Sequence, residues 1–379
     1  MNNMTSIKTQ QIRIDYIDYA KALGMLTVIW GHTKLTGVSN EFVYAFHMPL
    51  FFFLSGMVFN RGRYDGFRHF FMRKVKTLLY PYLIFSLVTW AFWASYSYLT
   101  HAPVKSYWMP LLQTFVAQGS GGFLEHNVPL WFVTCLFVVE MSYWFISKLK
   151  DWQNLAVSIL CAVVGYLLVY RCKFWDFRLL PWSTESALMA MPFFALGNLL
   201  VKRISNEKII WAVGKHKLIC FVGMLVGFAL TAYIGHHNGV VSMGHSRLGS
   251  NPLVFYVTAL IGICSLLLLC VLLSGIPRFF GGGKTLEKVF SGLKWFGRNS
   301  FNAMAIHNPI RAFVMVIVAI AFHTTDVVVS KTTSLSLIAF VITLIVTIIG
   351  MLFINWGNAR FSKSIRKCTP SQTQIKPYN

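Results

Sequence analysis

The sequence predicts an all-α, polytopic membrane protein with about ten transmembrane helices. Three observations lead there. The chain is 56% hydrophobic with a mean hydropathy of +0.58, and only 12% of its 379 residues are charged, about half the usual share. Its apolar runs recur at lengths near the roughly 20 residues that cross a bilayer as a helix. Lys and Arg collect between alternate runs, the pattern by which membrane topology is written. The net charge of +22 is therefore spread along the chain rather than gathered in one basic patch. No nucleic-acid partner is expected; the lipid bilayer is.

Taken in order, the first span (19–37) is preceded by Asp18 and carries Lys21 and His32, and the second (42–60) carries His47. The basic run RGRYDGFRHFFMRKVK at 61–76 leads into the third span, 78–99. A long loop, 100–128, reads as a cover for the outer mouth before the fourth span (129–147), which contains Glu140. Spans five to seven fall at 154–171, 185–202 and 217–236. A loop rich in Gly, Ser, His and Asn (237–251) precedes the eighth at 252–274. The inner loop 275–299 holds Gly281–Lys284, too short a glycine run for a phosphate-binding loop. The ninth span, 300–322, places His307 and Arg311 on one face, and the tenth is 335–356.

With the N-terminus in the cytoplasm, 26 of the 34 Lys and Arg residues fall inside, seven fall outside, and Arg311 lies within a span. This predicts cytoplasmic termini in a plasma membrane. The chain reads as one membrane domain, 1–379, with short cytoplasmic tails at 1–17 and 358–379. The N-terminal segment lacks the apolar core and cleavage site of a secretory signal, so the first span is expected to be a true helix. The seven cysteines show no paired spacing, with Cys172 near an outer edge and Cys368 in the inner tail. Neither a disulfide frame nor a metal site is read from them.

Ionisable groups inside a span mark function by default, because lipid rejects them. Lys21 lies eleven residues before His32, about 16 Å along a helix. A cation at one face and an imidazole near the other suit an anionic donor held inside and a reaction further out. Neutral imidazole accepts a proton from an alcohol, as general-base catalysis requires. His32 and His47, each about five residues from the outer end of its span, are expected at similar depth across a tight hairpin. The alternative for either is a hydrogen bond to a neighbouring helix. The run 61–76 reads as a topology and lipid-headgroup signal, or as a phosphate-donor site with Arg73 and Lys76 on one helical face. Glu140, His307 and Arg311 need partners or a water-filled cavity. Similar depth suggests Glu140 as the acidic partner of His307, with His307 lining a donor channel. Trp131 reads as an interfacial aromatic.

These residues also carry a resemblance. Asp18-x-x-Lys21-x10-His32 resembles the Asp-x-x-Arg and Arg/Lys-x10-His signature of the integral-membrane acyltransferase family 3. FHMPLFFFLSG (46–56), RKVKTLLYPY (73–82), PLWFVTCLF (129–137) and GRNSFNAMAIHNPI (297–310) are similar to later blocks of that family, in the family's order. The resemblance implies transfer of an acyl group, usually acetyl, from cytoplasmic acyl-coenzyme A to a hydroxyl of a cell-envelope glycan or its lipid-linked precursor. It implies a bacterial inner membrane, a catalytic role for His32, and donor binding by Lys21 with Arg73 and Lys76. Ser300 and His307 enter as further site residues through the ninth-helix block, and Asp18 through the first. No bound cofactor is expected, acyl-coenzyme A being a co-substrate. Two positions depart from the commonest pattern: Lys21 stands where arginine is usual, and Lys76 replaces a second arginine. Lysine keeps the charge without the bidentate grip. Direct transfer and a covalent acyl intermediate both remain open. The function expected is membrane O-acyl transfer, with proton-coupled secondary transport as the alternative.

Overall fold

The computed structural model describes residues 14–33, 38–101, 103–119, 123–170, 180–279 and 283–368, with the side chains of 277–279 and 361–368 left aside. Cys172, Gly281 and the tail residues 1–13 and 369–379 lie outside the described residues.

The chain begins with α1 (Asp15–His32) and α2 (Val38–Val58), a helical hairpin. After a short turn, α3 (Phe67–Lys74) passes through a π-helical turn, Val75–Leu79, into α4 (Tyr80–Leu99). A surface helix, α5 (Met109–Val116), leads to α6 (Trp131–Ile146), α7 (Asp151–Tyr170) and α8 (Thr184–Arg203). The amphipathic α9 (Asn206–Lys215) precedes α10 (Lys217–Asn238), and a minimal antiparallel hairpin follows, β1 (Val241–Ser242) with β2 (Arg247–Leu248). Then come α11 (Pro252–Phe279), α12 (Lys284–Arg298), α13 (Ser300–Ala321), α14 (Asp326–Lys331) and α15 (Thr333–Cys368).

Among the described residues, nine helical segments are long and apolar enough to cross a membrane. The tenth expected span, α1, has the required 18 residues but carries Asp15, Asp18 and Lys21. It therefore sits inside the bundle, packed against α2, α11, α12 and α13. The helices that surround the core show the opposite pattern. Along α7 the buried residues are Asn154, Ser158, Ala162 and Gly165, small or polar at helical spacing, while Leu160, Val163, Val164 and Leu167 point outward. Such an inverted stripe is expected of a helix whose far side meets lipid.

Several boundaries differ from the sequence reading. The first span ends at His32, not near residue 37, and Thr33 closes the helix with its hydroxyl donating to the Trp30 carbonyl at 2.7 Å. The basic run that leads into the third span is largely helical. Helix α3 continues toward Pro81 through the π-helical turn. A widened turn relieves the clash between a proline ring and the carbonyl four residues back. The tenth span continues beyond 356 to Cys368.

One of the closest helix crossings joins α2 to α8. A side chain at Gly56 would collide with the carbonyl of Phe194, and one at Gly197 with that of Phe53. Asn198 fastens the same crossing, donating to the carbonyls of Gly56 at 3.2 Å and Phe59 at 2.9 Å. It also accepts from the Tyr143 hydroxyl at 3.1 Å. At the end of the bundle where α1 begins, Arg298 meets Asp18 at 2.8 Å and Lys294 meets Asp15 at 3.2 Å. This basic end also carries Arg61 and Arg63, in the turn that follows α2.

Gly197→Leu should destabilise the protein by about 3 kcal/mol or prevent assembly, since overpacking a backbone contact forces the helices apart. Gly223→Leu, in open space on α10, should change stability little. Thermal unfolding in detergent compares the two.

Candidate active site

A narrow cavity of about 180 Å3 runs inside the bundle along α1. One face of that helix lines it with Lys21, Met25, Val28 and His32, positions that recur every three or four residues and therefore stack on one side. Facing them are Met48, Phe51 and Ser55 of α2, Trp131 and Phe132 of α6, and Ser300, Phe301 and Met304 of α13. The walls are apolar except at Lys21, Ser55, Ser300 and His32. The sequence signature thus becomes geometry: the cation and the imidazole share one cavity, about 16 Å apart along the helix.

The partner of His32 is not the one expected. His307 of α13 lies against it, with ring centroids 5.1 Å apart. The Nδ1 of His307 lies 2.8 Å from the Met304 carbonyl and 3.1 Å from that of Ala303. Carbonyls only accept, so Nδ1 carries the proton and Nε2 is left as an acceptor. That Nε2 is buried and has no hydrogen-bond partner among the described residues. His307 does not face lipid, nor does it line the narrow cavity as a donor channel would require.

His47 departs from expectation too. Packing of Gly31 against Tyr44 and of Gly24 against Leu50 sets His47 about one turn deeper than His32. Its Nδ1 donates to the Val43 carbonyl at 2.6 Å, and its ring meets Tyr44 edge-on. His47 lies outside the cavity lining, as a helix-packing histidine does.

Glu140 pairs with Lys74 at 2.7 Å, not with His307. Depth alone had coupled the two, but α6 packs against α3, and Lys74 is the base of the run that turns inward. Arg73 and Lys76, on either side, are exposed. Asp18 is held by Arg298, so it anchors α1 rather than facing the cavity. Beside the basic end lies a second cavity of about 700 Å3, with Arg61, Arg63 and Lys202 among its lining residues.

At the far end, the 100–128 loop does fold over the bundle. Pro309 interrupts α13, which leaves the carbonyl of Ala305 without its helical donor. Asn127 supplies one from the loop at 2.6 Å. Trp131 is buried against the backbone of Gly119 and Gly244 rather than placed at a membrane interface. Glu185, which the sequence reading passed over, accepts from Gln118 at 3.0 Å and from the Leu180 amide at 3.1 Å. As a rare acid at the edge of an apolar run, it offered a signal. His126 was missed as well: it is buried, neither ring nitrogen has a partner among the described residues, and burial pushes its pKa down to about 4. Above this end opens a cavity of about 1010 Å3. Gly31, Tyr44 and Arg311 help to line it, and the Arg311 Nε donates to Asn308 at 3.2 Å.

The family model described as an acyltransferase domain, Acyl_transf_3, matches residues 14–356. The chain belongs to acyltransferase family 3. Comparison with curated proteins and with solved structures finds no match. This all-α chain is a membrane acyltransferase. The matched segment contains every residue of the narrow cavity in the acyltransferase.

Two outcomes follow for this acyltransferase. Lys74→Met strands a buried Glu140 and should cost about 3–5 kcal/mol, while Lys74→Met with Glu140→Leu should recover most of it; thermal unfolding measures both. His126 has its folded pKa depressed from 6.5 to about 4, so the unfolded chain takes up the proton first as pH falls. Its contribution is present above pH 6.5 and is lost progressively down to pH 4, about 3 kcal/mol in all. His126→Leu should flatten the loss of stability across that window.

Proposed function

We propose that this acyltransferase moves an acetyl or short acyl group from acyl-coenzyme A to a hydroxyl of a cell-surface polysaccharide or its lipid-linked precursor. The observation that carries this reading is the narrow cavity that joins Lys21 to His32 along one face of α1. Its width suits a slender acyl-bearing arm, and its two polar ends suit an anion and a reacting hydroxyl. In this reading the basic end faces the cytoplasm of a bacterial inner membrane, with both termini there, as the distribution of 26 of 34 bases supports. Lys21 stands in the cavity toward the donor, and the exposed Arg73 and Lys76 meet its phosphates. Arg61, Arg63 and Lys202, around the neighbouring cavity, add positive charge. Several charge-assisted contacts together hold such a donor better than any one. Acyl-coenzyme A acts as co-substrate, with no resident cofactor.

The acceptor hydroxyl approaches from the far end, where α1 stops at His32. His32 accepts its proton as the oxygen attacks the thioester carbonyl. The tetrahedral intermediate then expels the coenzyme A sulfur, which takes the proton back from His32, giving an ester and a free thiol. His307, with its proton fixed on Nδ1, presents Nε2 toward this region and positions the His32 ring. His47 supports the hairpin behind it.

Purified protein in nanodiscs, supplied with radiolabelled acetyl-coenzyme A and envelope glycan, should transfer label. His32→Ala should reduce transfer by about 10²–10⁴-fold with thermal stability retained, and Lys21→Met should raise the apparent KM for the donor. Transfer by His32→Ala at near wild-type rate would exclude the mechanism, and no transfer to any glycan by the wild type would exclude the function.

A further inference from the structure

We propose that the large far-end cavity binds an anionic sugar, an acceptor bearing a carboxylate or phosphate group. Its identity as the acceptor site rests on the acyl-transfer reading; its preference for negative charge does not.

The cavity measures about 1010 Å3, at the upper end of the range for small-molecule pockets, and so has room for more than one sugar ring. It reaches the reaction centre. Gly31, in its lining, directly precedes His32, and the Tyr44 hydroxyl beside it donates to the Gly31 carbonyl at 3.5 Å. A bound sugar would therefore lie against the end of α1 at which the narrow cavity terminates.

Charge decides the chemical class. Arg247 on β2, Arg311 on α13 and Lys331 on α14 bring three cations to the lining from three separate elements. Two acids, Glu41 and Asp326, share it, one fewer than the cations, so the lining stays net positive. Glu41 is held by His236 at 2.5 Å, and Asp326 accepts from the Val327 amide at 2.8 Å within its own turn. Among the described residues, none of the three cations is in an ion pair. Two arginine forks and an ammonium around one space match the geometry of carboxylate or phosphate recognition.

A second, independent observation points to a ligand. The Oδ1 of Asn40, also in the lining, is buried and has no hydrogen-bond partner among the described residues. A buried acceptor left open calls for an occupant, and a sugar hydroxyl supplies the donor. Ser242 and Ser330 add further hydroxyls, and Tyr96 adds an aromatic face on which a sugar ring can lie.

The test uses the full chain in nanodiscs and three probes: a hyaluronan tetrasaccharide, the same tetrasaccharide with its carboxyls reduced to alcohols, and a mannose oligosaccharide bearing a phosphomonoester. Binding is read by calorimetry. At least one anionic probe should bind about tenfold or more tighter than the neutral one, the scale of one charge-assisted contact. Which of the two binds tells carboxylate from phosphate. The double variant Arg247→Gln/Lys331→Gln alters two exposed residues, so its thermal unfolding should match wild type while the discrimination falls to near unity. Equal binding of charged and neutral probes, binding of none, or discrimination that survives in the double variant would each overturn the proposal. His32-dependent hydrolysis of radiolabelled acetyl-coenzyme A, followed in the same preparation, separates the two readings. Hydrolysis without charge discrimination sinks only the anionic site. Discrimination without any acetyl turnover sinks only the transferase mechanism.

Discussion

The intolerance of lipid for charge organises this molecule around its first helix. Helix α1 carries two aspartates, a lysine and a histidine within 18 residues, and any face of it turned to hydrocarbon would be costly. It is consequently enclosed by α2, α11, α12 and α13, with Arg298 and Lys294 of the amphipathic α12 pairing both aspartates. Gly297 lets α12 approach so closely that a side chain there would strike the Asp18 carbonyl. The lipid-facing role passes to helices such as α7 and α10, whose large apolar residues point outward. Enclosing α1 also creates the interior cavity, because the face with Lys21 and His32 meets helices that do not fill the space before it.

The same demand for partners explains how the far end is closed. Pro309 opens a carbonyl in α13, and Asn127 answers it from the outer loop, so the cover is tied to the helix that carries His307. Glu185 gathers the other strands of the cover through Gln118 and Ser246. Elsewhere some buried polar groups find partners, as one Glu140 oxygen does in Lys74 and Asn198 does at the α2–α8 crossing. The other Glu140 oxygen, the Asn154 Oδ1 and the Thr343 and Thr347 hydroxyls have none among the described residues. The histidine and asparagine exceptions matter more. The Nε2 of His307, the Oδ1 of Asn40 and both nitrogens of His126 are buried without partners among the described residues, each at a penalty of about 1–3 kcal/mol. They belong to the far-end loop, hairpin and helices near His32. Stability is given up there in places where a substrate would restore the missing bonds.

In the proposed acyl transfer, the cavities give each substrate its own end of the bundle. Wide, charge-lined spaces lie at both ends, about 700 Å3 and about 1010 Å3, and only a narrow apolar passage of about 180 Å3 lies along α1 between Lys21 and His32. An acyl group on a thin arm fits that passage better than a nucleotide or a sugar does. In the proposed reading the donor and the acceptor keep to their own sides, and only the group transferred is shared.

Much of this was legible in the residues themselves. Apolar run lengths and the placement of bases determined the class and the spans, because hydrocarbon imposes a fixed helix length and charge sorting acts locally along the chain. The spacing of Lys21 and His32 likewise determined that they share a helix face, since helical geometry is periodic. Partner choice was not legible. The sequence put His32 with His47 and His307 with Glu140, because adjacency and depth are all that a linear pattern offers. The tertiary structure instead set His307 against His32 and Lys74 against Glu140, through contacts between residues 275 and 66 positions apart. Those pairings depend on which helices cross and at what angle. That is decided by the packing of small residues such as Gly56 and Gly197, whose partners lie on helices far away in sequence.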